Sequence, residues 1–284
     1  MEKPYPQVPR SGTAGPFLGE PGARILARML KIGYGTLTLA PALAELAELE
    51  FRLGAWSAAY ACARESLKLA RAGGLARESL TCLLSLAIIE AGRGEAEPCL
   101  RHAAEAIGLS RRQASVPAEA LAREAAGFLE LGLGRIDAAI EWLESVARLC
   151  REHPQAGTSA SWAPDLADAC LRRGDRAGAE RALATLDDRA RGSGNCALAA
   201  AAERSRAMLA SEYAFERRFR RALSWQARAS EPFEHARTQL YFGERLRRTR
   251  RRSEARGRLS AALGTFRALG ARPWAQQAER ELAA

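Results

Sequence analysis

Apolar residues recur along this chain at the spacing of a buried helical stripe. Between residues 136 and 150 the stripe reads Ile136, Ala139, Ile140, Leu143, Val146, Ala147 and Cys150, with Asp137, Glu141, Glu144 and Arg148 on the opposite side. This is the 3.6-residue period of an amphipathic helix. No stretch alternates apolar and polar residues with period two over any length, so strands are not expected. Residues 1–22 lack the stripe. Pro4, Pro6, Pro9, Gly12, Gly15, Pro16, Gly19 and Pro21 interrupt any regular element there, and the segment reads as a flexible lead. A short capping helix is expected over residues 23–32, followed by a linker to residue 40. Pro41 is expected to open a long helical stretch, because proline suits a first turn.

The helical pattern then repeats. Gly54, Gly94, Gly134 and Gly174 stand 40 residues apart. Five positions after each comes a small residue: Ala59, Cys99, Ala139 and Ala179. Seven further on come Ser66, Ala106, Val146 and Leu186. The register continues at Phe215 and Ala222 after an interval shortened by four, then at Ala255 and Ala262. Self-similarity at this period indicates a solenoid of supersecondary units. Each unit has room for two helices of about 17 residues, roughly 25 Å long. The glycine lies between them, where a positive φ ends the first helix and turns the chain back. The small residue five later lies where the two axes approach, since a large side chain there would push them apart. Beyond Gly270, Pro273-Trp274 opens a last short helix, expected to cover the open face of the terminal unit.

This phase resembles the tetratricopeptide repeat. Gly54-Ala-Trp56-Ser-Ala-Ala59 is the closest match, with an aromatic two after the glycine; Ala96, Ile136, Arg176, Glu212 and Arg252 hold that place in the other units. The resemblance implies an all-α, right-handed superhelical solenoid of about six two-helix repeats of roughly 40 residues. HEAT-type pairs and a plain helical bundle are the alternatives. The domain reading is a lead over 1–22, a capping helix and linker over 23–40, the repeat domain over 41–270 and a C-terminal capping helix over 271–284. In tetratricopeptide phase the first helix of each pair lines the concave face. The candidate ligand- or partner-binding residues there are Glu48, Arg52, Ile88, Glu124, Phe128, Asp168, Arg172, Arg204, Glu244, Arg247 and Arg248.

Charge alters this picture in one place. The chain of 284 residues carries a formal net charge of +10, and residues 214–258 hold 14 Arg, five Glu and no Asp, or +9 of it. The basic patch comprises Arg217, Arg218, Arg220, Arg221, Arg250, Arg251 and Arg252. It reads either as a phosphate or acidic-partner surface or as a solvated turn whose Arg stems cover apolar neighbours. Aromatic residues that would stack single-stranded bases are sparse around it. Lysine numbers only three, so the arginine excess reads as the composition of a GC-rich bacterial genome rather than as phosphate binding.

Signatures of catalysis are missing. No lysine follows a glycine, which excludes a G-x-x-x-x-G-K-[ST] phosphate loop, and there is no G-x-S-x-G elbow. His102, His153 and His235 lie far apart without Cys or carboxylates at ligand spacing, so neither a metal nor a cofactor is expected. The six cysteines form no C-x-x-C pair and fall in apolar helical patterns, which points to a reducing cytoplasm. No uncharged apolar run is long enough to span a membrane, and the start has no secretory signal. The five tryptophans read as inter-helix packing.

The last 50 residues carry a second resemblance. Pro232-Phe-Glu-His-Ala-Arg-Thr-Gln-Leu runs into Gly243-Glu-Arg-Leu-Arg-Arg. Arg250-Arg-Arg-Ser-Glu-Ala-Arg256 and Leu259-Ser-Ala-Ala-Leu-Gly-Thr-Phe266 follow. Leu269-Gly-Ala-Arg-Pro-Trp274 and Ala278-Glu-Arg-Glu-Leu282 complete the run. Residues 232–284 resemble the last repeat of large ATP-dependent LuxR-type transcriptional regulators of the maltose-activator-like group, and residues 41–231 are similar more loosely, in phase. The resemblance implies the non-catalytic helical arm of such a regulator, sensing a protein or a small-molecule inducer on its concave face. Without a phosphate loop, ATP binding does not carry over to this chain. DNA binding would run only through a helix-turn-helix domain that these residues do not include. The alternative is a stand-alone tetratricopeptide scaffold that joins proteins.

Overall fold

A computed structural model describes residues 36–156, 161–191, 193–229 and 231–284. The expected lead and the short helix over 23–32 lie outside the described residues. Helices α1 (Thr36–Arg52) and α2 (Trp56–Ala72) form the first antiparallel pair, followed by α3 (Ala76–Arg93) with α4 (Ala96–Arg112). The third pair is α5 (Val116–Gly132) with α6 (Ile136–Glu152), and the fourth is α7 (Ala163–Arg173) with α8 (Arg176–Ala190). Then come α9 (Cys196–Leu209) with α10 (Phe215–Ala229), α11 (Pro232–Arg248) with α12 (Arg252–Leu269), and a final helix α13 (Arg272–Ala283). The architecture is all-α, and the described residues contain no strand. None of the described helices is long and apolar enough to cross a membrane.

Each expected turn glycine sits between the two helices of a pair. Gly54, Gly94, Gly134 and Gly174 have φ of +87°, +75°, +77° and +87°. The N–H one residue later reaches back across the last turn: Ala55 to the Glu50 carbonyl (2.8 Å), Glu95 to Glu90 (2.9 Å), Arg135 to Glu130 (2.9 Å) and Asp175 to Cys170 (2.8 Å). These are Schellman closures, which satisfy carbonyls that a helix end leaves unpaired. The sixth pair keeps the same closure, from Arg251 N–H to the Leu246 carbonyl (3.0 Å), without a glycine: Arg250 takes the left-handed conformation at φ +63°. In the fifth pair, shortened by four residues, the chain leaves α9 through an extended Ala210.

The start of the first pair differs from expectation. Helix α1 begins at Thr36, and Pro41 lies inside it rather than opening it. The missing proline N–H costs one helical hydrogen bond. The turn before it is held from outside: Leu39 and Ala40 are buried, and the Ser66 hydroxyl donates to the Ala40 carbonyl at 2.6 Å.

The small positions do the work their spacing suggested. Ala59, Cys99, Ala139 and Ala179 are buried, as are Ser66, Ala106, Val146 and Leu186, then Phe215, Ala222, Ala255 and Ala262. Close approach also explains Gly243: a Cβ there would stand 2.6 Å from Leu259 Cγ, so α11 meets α12 through bare backbone.

First helices stack on one another along the array, and the array curls back on itself. Helix α13 packs on α12 and also reaches α3. The Arg272 guanidinium donates to the Arg93 carbonyl at 3.3 Å and lies 3.6 Å from Glu95. Pro273 stands so close to Gly94 that no side chain would fit at that glycine. Leu269 and Pro232 close on Gly54 in the same way. One aromatic chain runs through this contact: Phe51 stacks on Trp56 (5.1 Å between centroids), Trp56 meets Phe233 (5.2 Å), and Phe233 meets Phe128 and Trp274 (5.6 and 5.5 Å).

Arg250 holds a conformation that costs an L-residue roughly 1–2 kcal/mol and glycine far less. Arg250→Gly should therefore raise stability by about 1 kcal/mol, read as a higher urea midpoint at unchanged slope. A lower midpoint would show that the arginine side chain contributes more than its backbone costs.

Candidate functional site

The inner face of the curl is organised by Arg237. Pro232 starts α11, and Phe233, Arg237 and Tyr241 then follow at four-residue intervals on one helix face, where they are buried. The Arg237 side chain is 3% exposed. Its Nη2 donates to Asp165 Oδ1 at 2.6 Å and lies 4.0 Å from Asp168 Oδ2, while Nη1 donates to Glu234 Oε1 at 3.0 Å. The guanidinium also lies over the rings of Trp274 (4.7 Å) and Phe128 (5.6 Å). A cation taken out of water needs compensation; here carboxylates and π-faces supply it around Nη1 and Nη2, while the buried Nε makes no hydrogen bond among the described residues.

Two further arginines extend the network. Arg172 Nε donates to Asp168 Oδ1 at 2.9 Å, one helical turn away on α7. Its Nη2 reaches Gln277 Oε1 at 3.2 Å, and Gln277 in turn donates to Glu244 at 2.8 Å. The Tyr241 hydroxyl donates to Asp168. Arg204, buried on α9, pairs with Glu234. Glu124 on α5 accepts from Ser161 at 2.9 Å.

Carboxylates outnumber arginines in this centre, and their acidities divide accordingly. Burial raises the pKa of Glu234, but Arg204 and Arg237 outweigh it and hold the group down at about 2. At Asp168 burial is likewise overcome by Arg172, Arg237 and Tyr241, and the net direction is down. The others go up. Burial and the nearby Asp165 charge push Glu124 to about 8. Burial pushes Glu244 to about 7 against the pull of Arg172, with Glu281 adding to the rise. Asp165 is raised by burial that Arg237 does not fully offset. Glu231 is raised by burial and by Glu234, although Arg52, from the opposite end of the array, pulls it back.

The expected concave residues divide into those the fold gathers and those it does not. Glu124, Asp168, Arg172, Arg204 and Glu244 join this one centre, with Phe128 as a buried wall that stacks on Trp274 at 5.6 Å. Arg52 pairs with Glu48 at 3.0 Å on exposed surface, while its charge is felt at Glu231. Ile88 packs half-buried against the core. Arg247 pairs with Glu281 at 2.7 Å, and Arg248 is exposed.

The residues not anticipated are Asp165, Glu231, Glu234, Arg237, Tyr241 and Gln277. A signal was present for two of them. Asp165 stands one turn before Asp168 on an otherwise apolar α7 face, and Arg237 is a lone cation among Phe233, Ala236 and Leu240.

Several arginines of the basic patch are ion-paired with carboxylates of the chain, and Glu216 bridges its two halves. Arg218 and Arg221 reach Glu203, at 3.1 and 3.7 Å. Arg220 pairs with Glu216, and Arg251 with Glu216 and Glu254. Arg217, Arg250 and Arg252 are exposed. Other arginines of the same segment turn inward: Arg245 donates to the Ala210 carbonyl at 2.7 Å, and Arg258 lies over Phe242 at 4.9 Å.

Six helix pairs, four of them turned on Schellman glycines, stack through their first helices and define a tetratricopeptide-like helical-repeat fold. No protein-family model and no curated protein matches the sequence. Solved structures match in fold. The apo form of RapI aligns with a TM-score of 0.68 at 12% identity, covering 86% of this chain and 89% of that one. A Rap protein complexed with competence and sporulation factor aligns with a TM-score of 0.67 at 15% identity, covering 88% of this chain and 68% of that one. At such identities the likeness is one of fold.

Removing the central cation takes the ion-pair partner from the buried Asp165, so Arg237→Gln should cost about 3–5 kcal/mol in urea unfolding. Glu124 has the opposite standing. Its folded value of about 8 lies above the ordinary 4.5, so stability is full below pH 4.5 and falls as pH rises through about 8. Glu124→Gln should flatten the stability profile across that window; an unchanged slope would show that Glu124 does not carry the raised pKa.

Proposed function

We propose that the chain is a non-catalytic helical-repeat scaffold that takes a protein or peptide segment on the inner face of its first helices. The reading rests on the charged centre around Arg237, where six carboxylates and three arginines converge from α5, α7, α9 and α11. Paired helices that only needed to stay folded would hold apolar contacts there, because burying ions is seldom the more stable choice. The raised pKa values of Glu124, Glu231 and Glu244 mark buried carboxyls that the chain's own arginines do not hold in the ionised form. A segment carrying Lys or Arg would draw these groups into their charged form and pair with them. The fold shared with a Rap protein complexed with competence and sporulation factor supports the same kind of use.

A second reading keeps the chain as the arm of a LuxR-type regulator, and the resemblance over residues 232–284 favours it. A helix-turn-helix encoded in frame downstream of Ala284 would support that reading; an unrelated downstream gene would support the scaffold.

Peptide display against the folded chain tests the binding proposal. Selected peptides should be enriched in Lys and Arg, and should lose about tenfold or more in affinity to a Glu124→Lys, Glu244→Lys variant. Peptides that bind this variant as tightly as the wild type would place the binding surface elsewhere.

A further inference from the structure

A second concavity lies outside the Arg237 centre and is independent of the reading above. Helices α8, α9 and α10 border an open cleft of about 230 Å³. Its apolar lining is Ala190, Ala199, Ala202 and the indole of Trp225. Its charged lining is Asp187, Glu203, Arg191, Arg206 and Arg221.

These charges are not equally engaged. Arg206 donates to Asp187 at 2.6 Å and to Glu203 at 2.8 Å, and Arg218 donates to Glu203 at 3.1 Å. Both lining carboxylates are thus neutralised by Arg206 and Arg218. Arg221 and Arg191 remain. The closest ion-pair approach of Arg221 is 3.7 Å, to Glu203, and its side chain is 60% exposed. Arg191 pairs at 2.8 Å with an Asp188 that is itself 74% exposed. Exposed pairs of this kind contribute little and are exchanged at small cost. Two guanidiniums therefore face the cleft with donors to offer, beside one indole face and a floor of alanines. Arg228 lies over the Trp225 ring at 5.2 Å.

We propose that this cleft binds a small aromatic carboxylate, its ring against Trp225 and the alanine floor and its carboxylate shared by Arg191 and Arg221. The volume suits a ligand below drug size, since pockets for drug-sized molecules run from about 300 Å³ upward. Guanidinium forks match a planar carboxylate, and an indole face matches a flat ring. A free inorganic anion would satisfy the arginines and leave the apolar half of the lining unused.

Fluorine NMR of para-fluorobenzoate with the full chain tests this. The probe resonance should broaden, and excess unlabelled benzoate should restore it. The neutral isostere para-fluorobenzamide should show no broadening. Arg191→Gln with Arg221→Gln should weaken binding by about tenfold or more, and Trp225→Ala by a similar factor. Of the three replaced side chains Arg191 and Arg221 are exposed and Trp225 is half-buried, and folding is checked by an unchanged far-UV circular dichroism spectrum. No broadening with the wild type overturns the proposal. So does wild-type affinity in the folded double arginine variant, or displacement of the probe by inorganic phosphate at equal concentration.

Discussion

A guanidinium buried at 3% exposure has to be answered, and in this molecule the answers come from four helices. Asp165 and Asp168 belong to α7, Glu234 to α11 itself, Phe128 to α5 and Trp274 to α13. If α5, α7 or α13 shifted, Arg237 would lose the ring or the carboxylate that it meets there. Buried ion pairs seldom add net stability over well-packed apolar residues. What this one supplies is position: it dictates which parts of a long repeat array meet. Around it α5, α7, α11 and α13 come together.

The local rules of the repeat explain the rest with few exceptions. Each pair closes on a left-handed residue that lets a helix end satisfy its own carbonyls. Each pair also packs through small side chains, or through bare backbone at Gly243. The exceptions are informative. Arg250 adopts the left-handed turn without being glycine, which shows that the turn is demanded by the packing of α11 on α12 rather than chosen by the residue. The fifth pair loses four residues and with them the turn, yet Phe215 and Ala222 keep the buried register.

Much of this was legible in the residues. The 40-residue interval, the glycines and the small positions were enough to set the helix pairs and their order, because each is a local demand of backbone or close packing. The helix that starts at Thr36 was misplaced at Pro41, since the Ser66 hydroxyl that supports that turn comes from the next helix. The charged centre was half legible. Tetratricopeptide phase pointed to Glu124, Asp168, Arg172, Arg204 and Glu244, because inward-facing positions recur with the repeat. It missed Asp165, Glu234 and Arg237, which sit off that phase and owe their burial to the curl. In the +9 segment the arginines divide by helix face: Arg217, Arg250 and Arg252 go to solvent, Arg245 to a backbone carbonyl and Arg237 to the centre.

The contact between the two ends of the array changes how the whole molecule holds together. In an open solenoid each unit touches only its neighbours, so the ends can fray while the middle persists. Here Arg272 and Pro273 rest on the Arg93–Gly94 turn, and Pro232 and Leu269 rest on Gly54. Loosening the last unit uncovers the first two, and the reverse. The chain is thereby tied into a single cooperative unit, in which the strength of the whole is set at the place where its two ends touch.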